Sequence, residues 1–208
     1  MPNWCGNELR VRGPEEKVKE FDQKFKGRRA KWGPQLFELG NKTEEEKAEV
    51  KARWEQEYNE QKPDYCLNAL FPVPQEIIDI GYSVDTKKLG IEELLDWPNR
   101  FKDGYLWCIQ NWGVKWDITI DYPEDPSGDM IYKFETVWGP PRPWVQKVSK
   151  DFPDLFFSIV FVEEGVYFAG LYEYENGVET CHDNYSLGSD AVGYREFVKA
   201  TFGYDPID

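Results

Sequence analysis

The stretch from residue 106 to residue 122 constrains the fold most, because its side chains alternate between two kinds. The even positions, including Trp112 and Trp116, are mostly apolar, and the odd positions from 111 onward are small or polar. A period of two is typical of a β-strand with one buried face. Residues 132–138 repeat this pattern, and the turn at 123–128 predicts an antiparallel hairpin between the two segments. We therefore expect both segments to form the centre of a sheet, with their aromatic side chains covered by helices.

Shorter patterns place the remaining elements around this sheet. Helical spacing of apolar residues predicts helices over 15–26, 44–60, 144–152 and 190–201, with a short one near 91–97. Alternation predicts strands over 7–12, 155–162 and 166–174, and Asn176-Gly177 predicts a further hairpin turn. Two prolines make the segment 65–74 an edge strand at most. This order predicts an α+β fold: a ferredoxin-like split βαβ antiparallel sheet with helices on one face, an added C-terminal β-meander and a helical insertion.

The chain has 208 residues, which fits a single domain over 1–208. The charged segment at about 28–64 lacks the apolar residues for a core of its own, so we interpret it as a helical insertion. Within it, Thr43 and Glu46 have the spacing of a capping box at a helix start. A smaller insertion is expected at about 75–104.

Negative charge is concentrated in the later part of the chain. The formal net charge is −14, and residues 151–208 contain two basic side chains against twelve carboxylates. Such a charge favours solubility, and it would also suit a surface that docks onto a basic protein. The candidate binding carboxylates of this part are Glu163, Glu164, Glu173 and Glu175. A metal contact by Glu163 and Glu164 is the alternative to simple solvation of a hairpin turn.

No cofactor or metal is expected. The four cysteines, Cys5, Cys66, Cys108 and Cys181, are far apart and form no CxxC pair, so reduced thiols are predicted.

No apolar run reaches membrane-spanning length and the first residues lack a signal pattern, so we expect a cytoplasmic protein.

Three polar groups are candidates for chemistry or binding. Asn111, Lys115 and Asp117 share the polar side of the predicted strand and could form a small binding site where the sheet meets the turn at 136–141. A cross-strand salt bridge or a contact with a helix is the plainer interpretation. A basic cluster of Arg28, Arg29 and Lys31 could contact phosphates or be a solvated loop. The third group, Cys181-His182-Asp183, has the residue types of a nucleophile, base and orienter. Neighbours on a strand point to opposite faces, so a surface histidine is expected and no catalytic residue is assigned.

Several short motifs, taken together, resemble the YubB-type ferredoxin-like domain family of phage and conjugative-plasmid proteins. They are Met1-Pro2-Asn3-Trp4-Cys5, Asn111-Trp112-Gly113 with Lys115-Trp116-Asp117, Phe134, Thr136, Trp138 and Pro140-Pro141, and Glu164-Gly165 with Phe168, Ala169 and Gly170. Val114 departs from the small hydroxyl residue expected there, and Gly139 is a slighter variation. The resemblance implies a ferredoxin-like topology without an iron–sulfur cluster and an origin in a mobile element. It implies no established chemistry.

Three functions are compatible with these patterns. The first is a non-catalytic accessory protein that binds a host or element-encoded protein through its acidic surface. The resemblance to proteins of mobile elements implies interference with a host defence system as a use for such binding. The second is a nucleic-acid-binding module that uses the basic cluster, which the net charge disfavours. The third is an enzyme with a site around Asn111, Lys115 and Asp117.

Overall fold

The structure is a computed structural model that describes residues 3–34, 36–83, 103–120, 123–124 and 128–206. Its strands are β1 (Trp4–Arg12), β2 (Lys26–Gly27), β3 (Asp64–Tyr65), β4 (Met130–Val137), β5 (Phe156–Glu163), β6 (Phe168–Glu175) and β7 (Val178–Ser186). Its helices are α1 (Glu15–Lys24), α2 (Leu36–Leu39), α3 (Glu44–Glu60), α4 (Leu67–Leu70), α5 (Gln75–Ile80), α6 (Gly104–Asn111), α7 (Arg142–Asp151) and α8 (Ala191–Phe202).

A five-stranded antiparallel sheet in the order β4-β1-β5-β6-β7 organises the chain. Strands β4 and β5 are joined through α7 and lie on either side of β1, which is a split βαβ unit. Strands β6 and β7 continue the sheet as a meander. The predicted ferredoxin-like α+β fold with a C-terminal meander is therefore confirmed.

The two faces of this sheet have different surroundings. One face, here called the core face, carries alternate residues of β1 and β5 such as Leu9, Phe157 and Ile159, all fully buried under α1 and α7. The opposite face, here called the open face, carries the residues between them. Helix α8 covers only one end of the open face, where Tyr194 and Val198 pack on residues of β5 and β6. The last helix thus adds a second layer over that end of the open face.

The hairpin predicted from residues 106–122 is wrong in its first half. Residues 104–111 form α6, which begins at Asp103, whose carboxylate accepts a hydrogen bond from the Leu106 N–H at 3.0 Å. Gly113 follows the helix with φ of 82°, the left-handed conformation that commonly ends a helix. Residues 112–119 then run without regular structure, and Ile120 and Glu124 form isolated antiparallel bridges to Phe134 and Ile131 of β4.

The segment predicted as an insertion contains one long helix. Helix α3 begins at a capping box in which Thr43 and Glu46 each accept a hydrogen bond from the other's backbone N–H, as the spacing predicted. The segment 65–74 forms the short helix α4 and contributes only Tyr65 to the two-stranded β2–β3 sheet. The helix predicted at 91–97, and most of the smaller insertion predicted at 75–104, lie outside the described residues.

The cysteines are free thiols, as predicted. Cys5, Cys66 and Cys108 are buried and Cys181 is partly exposed. Burial raises the pKa of the Cys5 and Cys66 thiols to about 12, so these side chains act as small apolar groups of the core.

Candidate functional site

A groove of about 810 Å³ crosses the open face of the sheet. Its floor is formed by outward-facing residues of β1 and β4, among them Gly6, Glu8 and Glu135. One wall consists of Thr201, Phe202 and Tyr204 at the end of α8, and the other of residues 116–119 together with Arg29. The absence of a side chain at Gly6 deepens the floor between these walls. The volume lies within the range of small-molecule and peptide sites.

Exposed tryptophans surround one end of this groove. Trp4 is 48% exposed, Trp116 is 43% exposed and Trp138 is 54% exposed. Trp4 and Trp116 line the groove directly. Trp138 joins them through Lys115, whose ammonium nitrogen lies 3.1 Å from the ring centroid of Trp138 and 5.8 Å from that of Trp116. We call Trp4, Trp116, Trp138 and Lys115 the tryptophan patch.

The three polar residues predicted to form one site do not come together. Asn111 ends α6 and donates from its side-chain amide to the Trp107 carbonyl at 2.9 Å. Lys115 lies in the segment after α6, and its ammonium nitrogen contacts the ring of Trp138 in the turn after β4. Asp117 points inward, and its carboxylate accepts hydrogen bonds from the backbone N–H groups of Leu67, Asn68 and Ile118.

Asp117 therefore fixes the groove wall to the start of α4. Burial raises the pKa of its carboxyl to about 6, and the three backbone N–H donors oppose that rise. Of the two plainer interpretations, a cross-strand salt bridge or a helix contact, the structure shows a contact with the start of α4. The carboxylate orients the chain around the groove through these three hydrogen bonds.

The four carboxylates predicted for binding have different environments. Glu163 is fully buried, contrary to the expectation of an exposed turn residue, because its carboxylate accepts hydrogen bonds from Gly165 N at 3.0 Å and Val166 N at 2.6 Å. Glu164 accepts a hydrogen bond from the Tyr204 hydroxyl at 2.5 Å, beside the groove wall. Glu173 and Glu175 of β6 face the open side of the sheet.

The charges on the open face are unequally paired. Its cations form salt bridges: Arg10 with Glu8 at 3.4 Å, Arg12 with Asp129 at 3.0 Å, and Lys133 with Glu124 at 2.8 Å. Within the part of the chain that the structure describes, no salt bridge reaches the carboxylates of Glu135, Glu173 or Glu175. The uncompensated charge of this face is thus negative.

The basic cluster predicted as a phosphate contact is largely engaged. The Arg29 guanidinium donates to the Ile118 carbonyl at 2.8 Å and so braces the groove wall. Lys31 pairs with Glu55 at 2.5 Å and lies over the ring of Tyr58. Arg28 is exposed, and its carbonyl accepts a hydrogen bond from Asn68.

A second polar cluster lies on the core face, at the edge formed by β6 and β7. The Glu179 carboxylate accepts two hydrogen bonds from Arg142, at 3.0 and 2.9 Å, and one from the Tyr174 hydroxyl at 2.8 Å. It also lies 3.0 Å from Nδ1 of His182. Burial raises the pKa of Glu179, but these donors outweigh it, so that the pKa is held below its usual range.

A β-bulge explains why Glu179 and His182 meet. Residues three apart on a regular strand point to opposite faces, but the register shifts at Thr180, which has no partner on β6. Both side chains consequently face α7. Cys181 and Asp183 point to the open face, with Sγ and Oδ2 3.8 Å apart, so the Cys-His-Asp sequence forms no triad.

The exposed tryptophans are the site residues that the sequence pattern missed. The alternation predicted that Trp112, Trp116, Phe134 and Trp138 would all lie in the core. Trp112 and Phe134 do, with Trp112 fully buried, whereas Trp116 and Trp138 are exposed. The pattern offered one usable signal, since Gly113 marks the end of a helix and so removes Trp116 from any regular strand.

No helix in the described part of the chain is both long and apolar enough to cross a membrane. Among the same residues, no group of three or more His, Cys, Asp or Glu side chains is arranged to hold a metal ion.

Comparison with known proteins supports the fold and does not extend to an activity. Residues 112–202 match the family model described as the ferredoxin-like domain in Api92-like protein. The crystal structure of protein Api92 from Yersinia pseudotuberculosis is similar to this chain with a TM-score of 0.56 and 11% sequence identity. That similarity covers 89% of this chain and 99% of the other. At such identity it shows a shared fold alone. No curated protein matches the chain by sequence.

Proposed function

We propose that this chain is a non-catalytic binding protein that docks a basic partner protein onto the open face of its sheet. The observation that carries the proposal is the tryptophan patch at the end of the groove. Tryptophan is enriched among the residues that dominate protein–protein binding energy, and exposed apolar patches on a folded protein commonly mark interaction sites. In this patch Trp4 and Trp116 would supply the buried centre of the contact.

Charge supports the choice of a basic partner. The strand cations Arg10, Arg12 and Lys133 of the open face are already paired. Glu135, Glu173 and Glu175 have no salt-bridge partner among the described residues. The net charge of −14 would attract a basic protein over distances of about a Debye length, roughly 8 Å at physiological salt. The acidic residues would thus steer association, and the tryptophans would hold the complex.

The biological setting of the proposal rests on the resemblance of the sequence motifs to YubB-type proteins of phages and conjugative plasmids. On that basis we place the protein in the cytoplasm of a bacterial host, as an accessory protein of a mobile element. Its partner would be a host protein or a protein of the element itself. Because proteins of mobile elements often act against the host, the resemblance favours interference with a host defence system as the role of this protein.

Affinity capture with matched variants tests the proposal. The full chain would be immobilised and exposed to bacterial lysate at physiological salt, beside a Trp4→Ala/Trp116→Ala variant and a Val192→Ala control. Val192 is 68% exposed on α8, so its truncation also removes exposed apolar surface. We expect a stoichiometric protein that wild type and control retain and that the double variant loses.

Charge reversal supplies the second arm of the test. Glu173→Lys/Glu175→Lys should slow association and make it less sensitive to salt, without abolishing the complex. The proposal is wrong if the captured protein is retained equally by all variants. It is also wrong if wild type shifts single-stranded DNA at physiological salt, because that result would favour the nucleic-acid alternative instead.

A further inference from the structure

Trp138 holds a backbone conformation that bulky residues rarely adopt. Its φ is 71°, in the left-handed region that favours glycine. Two hydrogen bonds maintain the turn: Trp138 N donates to the Asn3 carbonyl at 3.0 Å, and the Thr136 hydroxyl donates to the Gly139 carbonyl at 2.7 Å. The result is an indole directed outward from the end of β4. Strained backbone of this kind is concentrated at functional sites, because the surrounding structure must maintain it against its cost.

The contact of Lys115 with this indole is also unusual for the protein. Its ammonium nitrogen lies over the ring of Trp138, with Trp116 nearby, and among the described residues no carboxylate pairs with it. The cations Lys24, Lys26 and Lys147, by contrast, lie over aromatic rings while also paired with carboxylates. Partial desolvation lowers the pKa of the Lys115 amine.

The backbone of Lys115 is held independently of its side chain. The Lys115 carbonyl accepts a hydrogen bond from the Tyr82 hydroxyl at 2.9 Å. Its ammonium contacts the rings of Trp116 and Trp138. The ammonium can therefore leave the ring without disturbing the chain around it.

We propose that the ring pair of Trp116 and Trp138 is a binding site for an arginine side chain of the partner, and that Lys115 occupies this site in the free protein. A guanidinium is planar and more weakly hydrated than an ammonium, and it stacks on an indole, so it competes well for the same ring face. The inference rests on the proposed function only in assigning the arginine to a partner protein. The ring site itself can be tested with small cations.

The test uses the full-length protein and two probes of matched shape. N-acetyl-arginine amide carries the guanidinium, and N-acetyl-citrulline amide is its neutral counterpart. Each would be titrated into ¹⁵N-labelled protein while the indole N–H signals of Trp116 and Trp138 are followed by NMR. The proteins are wild type, Lys115→Met, Trp138→Ala and Lys199→Met, which removes one exposed positive charge far from the rings in sequence.

Removing the internal cation should open the site. We expect Lys115→Met to bind the arginine probe about two- to five-fold more tightly than wild type, the ratio that a surface cation–π contact provides. Lys199→Met should behave as wild type, and Trp138→Ala should abolish the saturable shift of the Trp116 indole. The citrulline probe should leave both indoles unchanged.

Other results would overturn the inference. Equal responses to arginine and citrulline would show that charge is irrelevant to the rings. Weaker or unchanged arginine binding by Lys115→Met would show that Lys115 does not occupy the site. Either result could coexist with capture of a partner through Trp4 and Trp116, so failure here would leave the proposed function standing. Conversely, arginine binding without any captured protein would support this site and count against the proposed function.

Discussion

Replacement of Asp117 by asparagine should change how the stability of the protein depends on pH. Burial raises the pKa of Asp117 from its ordinary 3.8 to about 6. The folded state therefore binds this proton more tightly than the unfolded state does, and wild type gains stability as the pH falls from 6 towards 3.8. Two pKa units correspond to about 3 kcal/mol, of which about 1.4 kcal/mol is gained between pH 7.5 and pH 5.

The Asp117→Asn variant lacks this gain because its side chain does not titrate. Its single carbonyl oxygen can keep the hydrogen bonds from Leu67 N and Ile118 N, while its NH₂ group faces the N–H of Asn68. Two N–H donors that face each other without an acceptor cost about 1–3 kcal/mol. This cost roughly offsets the stability gained at pH 7.5 by removing a buried negative charge. We expect the free energies of unfolding of variant and wild type to be close at pH 7.5. At pH 5 the variant should be about 1.4 kcal/mol less stable than wild type, because it lacks the stabilisation that wild type gains between the two pH values.

Urea unfolding followed by tryptophan fluorescence at both pH values measures the two free energies of unfolding. Asp154→Asn, at an exposed carboxylate, controls for the loss of one charge. The other titrating groups contribute equally to wild type and variant, so the difference between them isolates Asp117. A difference that is the same at pH 7.5 and pH 5 would refute the assignment of a raised pKa to this residue.

Two further substitutions test the packing of the meander. Gly170→Ala should destabilise the protein by about 1–3 kcal/mol in thermal unfolding, because a Cβ there would lie 2.3 Å from the Asp183 carbonyl oxygen, whereas Gly188→Ala, with open space around it, should be nearly neutral. Glu179→Gln should lower the free energy of unfolding in urea by about 1 kcal/mol at pH 7, a modest cost because the bidentate pair with Arg142 is partly exposed. This cost should vanish as the pH falls through the lowered pKa of Glu179, and an unchanged cost in acid would contradict the role of its charge.

Much of the fold was predictable because local signals agreed with the tertiary structure. The alternation in β5 and β6, the Asn176-Gly177 turn and the capping box at Thr43 each specify a conformation through nearby atoms alone. Strand order was predictable only through the ferredoxin-like pattern, since the pairing of β1 with both β4 and β5 joins residues more than a hundred positions apart.

The error at residues 106–111 has a physical cause. Trp107 and Ile109 are apolar at odd positions, so the period of two did not hold in this stretch. A continuous apolar run is compatible with a buried helix as well as with a strand, and the flanking residues distinguish the two. Asp103 before the run and Gly113 after it are a helix start and a helix end, and both signals outweigh the alternation that begins later.

The binding surface was harder to predict than the fold, because exposure depends on what covers each face. Residue types suggested a site near residues 136–141, and in the structure the Lys115 ammonium contacts the ring of Trp138 there. They gave no indication that α8 would cover only one end of the open face. Likewise Glu163 and Glu164 are identical neighbours in the sequence, yet one carboxylate is buried by its own turn and the other faces the groove wall.

The tryptophans divide into those that the fold explains and those that it does not. Trp112 and Trp144 are fully buried, and the indole N–H of each donates to a main-chain carbonyl at 2.9 Å, so packing and hydrogen bonding account for them. Trp4, Trp116 and Trp138 leave large apolar surfaces in water, and Trp138 does so from a strained backbone. The half-exposed rings forgo part of the burial energy available to them, and the strained backbone of Trp138 has a cost, both at the same end of one groove. A partner that covers these rings would recover the free energy of burial, which is the explanation that the fold itself lacks.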